Sequence, residues 1–321
     1  MNQDTRMEKQ WDILEKVAMA SVIEQRRARR WKLIWRFSAL SLAAAIFASA
    51  KFGSNELSAV ASDHTAVVVV RGEISDQSMA SAANINKALQ NAFKAEKSKG
   101  VLIYINSPGG SPVQAGQVAD ELRRLRAKYP DKHAYAVIGD LGASGGYYIA
   151  SAAEKIIADK ASLVGSIGVT AATFGFVDLM QRVGVERRSY TSGEHKAFLD
   201  QFQPQNEEET AFWQGVLSNT HQQFIESVKA GRGERLVDPE GNKLFTGLIW
   251  TGQQALKLGL VDGLGSVEQV ARDEFKAEEM VDYTVAESRI DIFARKLGAT
   301  FGATALDGLA GVAASSTLQL R

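Results

Sequence analysis

Two glycine-rich junctions hold the residue types best suited to chemistry. The first is Asn106-Ser107-Pro108-Gly109-Gly110 and the second is Gly142-Ala143-Ser144-Gly145-Gly146. Consecutive glycines open backbone conformations closed to other residues and let backbone N–H groups face a ligand closely. At a strand end that leads into a helix, such groups are donors to an anion. In the second junction a serine stands on a tight turn among residues without bulk. Its Oγ faces solvent with a backbone N–H beside it, which is the logic of a nucleophile with an oxyanion hole. Either turn alone is ordinary turn chemistry. Two at successive strand ends of one sheet converge on one edge. Phosphate binding fits poorly, because neither a G-x-x-x-x-G-K-[ST] run nor a G-x-G-x-x-G run after a strand is present.

A serine nucleophile needs a base. The chain has four histidines. His64 falls in a polar linker, His133 at the start of a strand, and His221 on a helix expected over Ala211–Lys229. His195 differs in having Lys196 beside it, within Tyr190-Thr191-Ser192-Gly193-Glu194-His195-Lys196-Ala197-Phe198. A lysine serves as a general base when burial favours its neutral form. Spacing alone leaves Lys196 as an ordinary solvated lysine. Asp140, two residues before Gly142, reads as a turn residue.

The elements that position these residues alternate between strand and helix. Ala66–Val70, Val101–Ile105 and Ala134–Ile138 are unbroken apolar runs, and Lys155–Ala158 is a fourth, shorter strand. Between the first two, Ile85, Ala88, Leu89, Ala92 and Phe93 recur at helical spacing. A second helix starts near Pro112, a residue suited to a first turn, and runs to about Lys128 with Val118, Leu122 and Leu125 inward. Tyr147–Ala153 reads as a further helix. Strands with no polar interruption, alternating with helices, predict an α/β domain over residues 65–285 with a largely parallel sheet covered on both faces.

Five segments together resemble the SppA-type signal peptide peptidases, the protease IV family of Ser–Lys peptidases, in their single-domain short form. They are LIYINSPGG (102–110), DLGASGGYYIA (140–150), GSIGV (165–169), SGEHKAF (192–198) and WTGQQALKLGLVDGLG (250–265). The resemblance covers residues 66 to about 275, in order. It implies a Clp-protease/crotonase-like superhelix of ββα units, with Ser144 as nucleophile, Lys196 as general base and Ser166 orienting that lysine. It implies oxyanion donors from Gly109 or Gly110 together with Gly145, and no metal or cofactor. It also implies remnant signal peptides and other apolar peptides as substrates, and a homo-oligomeric ring, an octamer, whose subunits share the site. The Asn-Ser-Pro-Gly-Gly turn recurs in the Clp peptidases, which use histidine. A Ser–His peptidase built on His195 is therefore the first alternative. A crotonase-type acyl-CoA enzyme and a catalytically silent scaffold of the same fold are the others.

Composition bounds these readings. Hydrophobic residues make up 45% and charged residues 23% of 321 residues, which excludes a disordered, collagen-like or polytopic membrane chain. Lys+Arg and Asp+Glu are both 37, so no overall positive field exists to bind nucleic acid. With no cysteine, disulfides, thiolate nucleophiles, zinc–sulfur sites and iron–sulfur clusters are excluded.

The zero net charge conceals a division. Residues 1–36 carry nine Lys/Arg and five Asp/Glu, and six of those cations lie between Arg26 and Arg36. Phe37–Ala50 then has no charge in 14 residues, and Lys51 closes it. Alone this run reaches about 21 Å as a helix, short of the about 30 Å hydrocarbon core. Extended from Leu33 to Lys51, with Arg36 and Lys51 snorkelling, it reads as a single-pass signal anchor. Residues 1–32 are then the cytoplasmic basic segment, by the positive-inside rule. Residues 52–64 are a linker, and the catalytic domain lies on the periplasmic side of a bacterial inner membrane. A cleaved leader ending at Ala48-Ser49-Ala50 is the competing reading. Ahead of the anchor, Trp11, Leu14, Val17, Ala18 and Val22 suit an amphipathic helix. Residues 286–321 form a small-residue-rich tail, in which Ala310–Ser315 imitates a signal-peptide remnant able to enter an active site.

Overall fold

The computed structural model describes Met19, Glu24, Arg26, Arg27, residues 29–42, Ala44 and residues 62–286. By internal contacts the chain divides into two units, Met1–Val60 and Ala61–Arg321. In the first, residues 29–42 are helical with exposed side chains. No helix among the described residues is long and apolar enough to cross a membrane. Of the expected anchor, residues 33–42 and Ala44 are described and the remainder is not. The amphipathic segment around Trp11–Val22, most of the linker and the tail beyond Ala286 also lie outside the described residues.

The second unit is an α/β sheet with helices packed on it. Its early order is β1 (His64–Arg71), α1 (Ala82–Lys94), β2 (Ser98–Ser107), α2 (Pro112–Lys128), β3 (Ala134–Ala143), α3 (Gly145–Ser151), β4 (Lys155–Ala158) and β5 (Leu163–Gly165). Then follow α4 (Val177–Val183), α5 (Glu207–Arg232), β6 (Ile249–Thr251), α6 (Gly252–Lys257), β7 (Gly263–Leu264), α7 (Val267–Gln269) and β8 (Met280–Asp282). The sheet runs β6-β5-β3-β2-β1-β8, with β4 paired to β3 and β7 to β4. Every pairing is parallel except β5 with β6.

Local chemistry starts the helices. Ser81 and Ser111 cap α1 and α2 by accepting the N–H of Asn84 and Gln114. Asn206 caps α5, whose first turn carries Glu207, Glu208 and Glu209 against the positive end of the helix dipole. The sheet alternates sides. Ile103 and Ile105 join a core with α1, α2, α3 and Phe224 of α5. Leu102, Tyr135 and Val137 face the other way onto Val270 and Phe275.

Three expectations need correcting. His64 belongs to β1, not to the linker: it is buried, with Nε2 3.0 Å from the Tyr283 hydroxyl. The helix expected over Ala211–Lys229 extends to Glu207–Arg232, because Asn206 supplies a cap a full turn earlier. Strand β3 runs to Ala143, so Asp140 stands within a strand and accepts from Asn106 Nδ2 at 2.9 Å. The cause is a change of partner. Residues Tyr135–Ile138 of β3 pair with β4, whereas Leu141–Ala143 pair with β5. On the other side, the register slips between Ile105 and Ser107, which face Ile138 and Gly142. Such bulges bend a strand and re-aim its end. Here the end so aimed carries Ser144.

Candidate active site

Ser144 links β3 to α3 with φ 52° and ψ −123°. A non-glycine residue rarely takes positive φ, and the strain costs about 1–3 kcal/mol. The surroundings impose it. Its N–H donates to Gly165 O at 2.8 Å, its carbonyl accepts from Tyr148 N at 2.9 Å, and its side chain makes no capping bond. The hydroxyl is thus held at the turn while the backbone is committed. Ser166, the next residue after Gly165, also has φ 52°, and its N–H donates to Leu248 O at 2.7 Å. Ser144 and Ser166 are therefore brought together across the β3–β5 pair.

The first glycine turn packs directly on the second. A Cβ added to Gly109 would lie 2.6 Å from both Gly145 N and Ser144 Cβ, so only glycine fits this approach. Gly110 pairs with Ile74 in an isolated parallel bridge: Ile74 N donates to Gly109 O, and Ser111 N to Ile74 O, both at 2.8 Å. That pattern turns the Gly110 N–H away from Ile74, and it donates to no described residue. The Gly145 N–H is in the first turn of α3, where no intrahelical acceptor exists. The two groups are close, since a Cβ on Gly145 would lie 3.4 Å from Gly110 N. Gly109 is different. Its N–H donates to Ser107 Oγ at 3.1 Å, while Ser107 Oγ donates to Gly72 O at 2.6 Å.

Lys196 and Ser144 line different cavities. Lys196 is exposed on a turn and lines a cavity with Arg187, Ser189, Thr191 and Asp200. Ser144 lines a separate one with Gly110, Gly145, Tyr148 and Phe224. His195, on the same turn, is exposed near Phe198, Glu208 and Phe212. His133 pairs with Glu154 at 2.8 Å at the surface. His221 lies nearer the site: its Nε2 is 3.1 Å from Ile167 O, and a carbonyl only accepts, so Nε2 carries the proton. Among the described residues no group of His, Asp or Glu is arranged to hold a metal.

Sequence reasoning overlooked Ser107 and the Tyr148–Phe224 pair. A signal existed for Ser107, since a serine two residues before a glycine commonly accepts that residue's N–H in a turn. Nothing in the sequence pairs Tyr148 with Phe224.

The model of peptidase family S49 matches residues 126–281. A chain of Synechocystis sp. bearing the name putative protease slr0021 is 35% identical over 190 residues, 58% of this chain and 67% of that one. This protein belongs to peptidase family S49. Another relative, named putative signal peptide peptidase SppA from Enterococcus faecium, is 33% identical over 194 residues, 60% of this chain and 55% of that one. A Brucella melitensis chain named Na(+)/H(+) antiporter NhaA is 44% identical over 198 residues. That match covers 62% of this chain and 26% of the Brucella chain. The chain thus spans between about a quarter and two thirds of these relatives. The S49 match takes in Ser144, Ser166 and Lys196, while the Gly109-Gly110 turn precedes it.

Proposed function

We propose that this S49 chain is a serine endopeptidase working through an acyl-enzyme on Ser144, with Lys196 as base. The observation that carries the reading is the strained Ser144 with two uncommitted N–H groups, of Gly110 and Gly145, beside it. In the proposed mechanism, Lys196 Nζ takes the proton from Ser144 Oγ, which attacks the scissile carbonyl. The Gly110 and Gly145 N–H groups hold the oxyanion, and each such donor is worth about 3–4 kcal/mol of barrier. Collapse breaks the C–N bond, and the leaving amine takes the proton from Lys196. Water, deprotonated by Lys196 in turn, then hydrolyses the ester. Ser166 accepts from the amine and orients it. Gly109 drops out of the hole because Ser107 already takes its N–H.

That Lys196 and Ser144 line different cavities of one chain favours a site shared between copies. The segment around Lys196 exposes the apolar side chains of Phe174, Leu179, Val183, Val185 and Tyr190, and exposed apolar groups of this kind suit an interface. A head-to-tail homo-oligomeric ring, an octamer, would cover it and bring Lys196 of one copy to Ser144 of the next. The parallel sheet and its helices suit a Clp-protease/crotonase-like superhelix. With residues 33–51 as a single-pass anchor in the bacterial inner membrane, the domain would stand on the periplasmic side. There it would degrade remnant signal peptides and other apolar peptides, captured as extended strands.

A second reading keeps Ser144 and assigns the base to His195, which shares the exposed turn with Lys196. Comparing Lys196→Ala with His195→Ala on one peptide substrate separates the two. Loss of turnover in Lys196→Ala with turnover kept in His195→Ala supports the lysine; the reverse pattern overturns it.

A further inference from the structure

The segment that carries Lys196 has no core of its own: between Ile167 and Phe224 no residue as a whole is buried. One carboxylate in it is nonetheless covered. The Asp200 side chain is 8% exposed, and its Oδ1 accepts from an Arg187 guanidinium N–H at 2.6 Å and from the Phe202 N–H at 3.0 Å. The Arg187 guanidinium also lies over the Phe202 ring, 4.8 Å from its centroid, and Phe202 stacks on Phe176. An ordinary exposed ion pair contributes little. This one differs, because its carboxylate is shielded from solvent, the accepting oxygen is shared with a backbone donor, and the guanidinium is fixed by a ring.

Arg187 and Asp200 stand at the two ends of a loop, and Lys196 lies inside it. Tying the ends together cuts the conformations open to the residues between them. The rest of the loop has lighter supports. Lys196 N donates to Gly193 O at 3.2 Å, and Phe198 meets Phe212 and Trp213 edge-on. Leu199 takes φ 53°, and its N–H donates to the Glu209 carboxylate of α5 at 3.3 Å. Positive φ at a leucine is strained and persists only where the surroundings impose it. Arg187, Asp200 and Lys196 line one cavity of about 540 Å³. A general base works only within hydrogen-bond reach of the proton it takes. We infer that Arg187 and Asp200 are positioning residues for Lys196: their ion pair closes the base of its loop and fixes how the amine is presented. In the proposed ring a neighbouring copy decides where the loop lies, and the pair decides where Lys196 stands on it. The inference rests on the lysine-base reading and adds the residues that make that base effective.

The test uses the full-length protein, a fluorogenic peptide and the variants Arg187→Met, Arg187→Lys, Asp200→Asn and Arg187→Met with Asp200→Asn, with Lys196→Ala as control. Thermal unfolding alongside reports the fold. Arg187→Met and Asp200→Asn should each lower kcat by roughly 10- to 100-fold, the scale of a misplaced catalytic group. KM should stay nearly unchanged, as when an interaction of the transition state is lost. Arg187→Lys keeps the charge pair and should recover at least part of the lost kcat. The double variant should fall no further than the worse single one, because two residues that act as one unit are not additive. Arg187 is 42% exposed, so Arg187→Met serves if Asp200→Asn does not fold. Folded single variants with wild-type kcat would overturn the inference. So would losses that multiply in the double variant, or an Arg187→Lys no better than Arg187→Met. Turnover that survives in Lys196→Ala would instead overturn the lysine reading beneath it.

Discussion

Ser107 is fully buried under the first glycine turn, and one hydroxyl does two things there. It donates to Gly72 O and accepts from Gly109 N, which fixes the peptide between Pro108 and Gly109, while Ile74 N–H holds the Gly109 carbonyl. The next N–H along the chain, of Gly110, donates to no described residue. Ser107→Ala removes that hold and leaves a buried N–H and a carbonyl short of a partner, at about 1–3 kcal/mol of stability. The turn can then rotate, so kcat should fall by about 10- to 100-fold, approaching the loss of one oxyanion donor. KM should change far less, and steady-state kinetics on a peptide substrate reads the split. At this scale the turn that carries Ser144 was legible, because a run of small residues after an unbroken apolar strand marks a strand-to-helix junction. That the Gly109 N–H is taken by Ser107 was not legible, since it depends on where the Ser107 hydroxyl points.

Among the elements, α5 and the segment after it are locked by charge. Arg232 at the end of α5 is 1% exposed and meets Asp262 through two bonds, of 2.6 and 2.9 Å. Asp262 also accepts the Ile156 N–H at 2.7 Å, which ties β4 to the same point. Burial pushes the Asp262 carboxyl up, but the Arg232 guanidinium, the Ile156 N–H and nearby Arg235 outweigh it and hold the group below its ordinary range. A carboxylate depressed in the folded state stabilises fully above its unfolded value of about 4, and the contribution is lost as pH falls through the folded value. Asp262→Ala leaves a buried guanidinium uncompensated and should cost about 3–5 kcal/mol. Urea unfolding at neutral pH measures it, and the gap between wild type and variant should narrow below about pH 4. The segment 250–265 was visible in sequence only as a family-like run; its work as a structural clamp appears once Arg232 and Asp262 are seen together. Strand positions were legible from unbroken apolar runs. The bend of β3 was not, because a bulge follows from register with β2 and β5, which a single strand does not encode.

For the whole molecule, the proposal that subunits share a site makes a prediction that one chain alone does not. Ser144→Ala and Lys196→Ala should each be inactive as pure rings. Mixed during assembly, they place an intact serine beside an intact lysine at about a quarter of the sites of a random head-to-tail ring. Recovery of turnover in that mixture supports sharing. Mixed rings that form without any turnover would place serine and lysine in the same chain. The sequence divided the charge of the chain but could not place Lys196, which lies in a segment with almost no buried residue. A segment so exposed takes its position from whatever covers it.

Every step of the proposed chemistry depends on Ser144 being the nucleophile. Reacting the full-length protein with a fluorophosphonate, digesting it and mapping the adduct by mass examines that assignment without any assumption about substrate. The expected result is a single adduct on the peptide containing Ser144, absent in Ser144→Ala. An adduct on any other residue, or labelling that persists in Ser144→Ala, would contradict it.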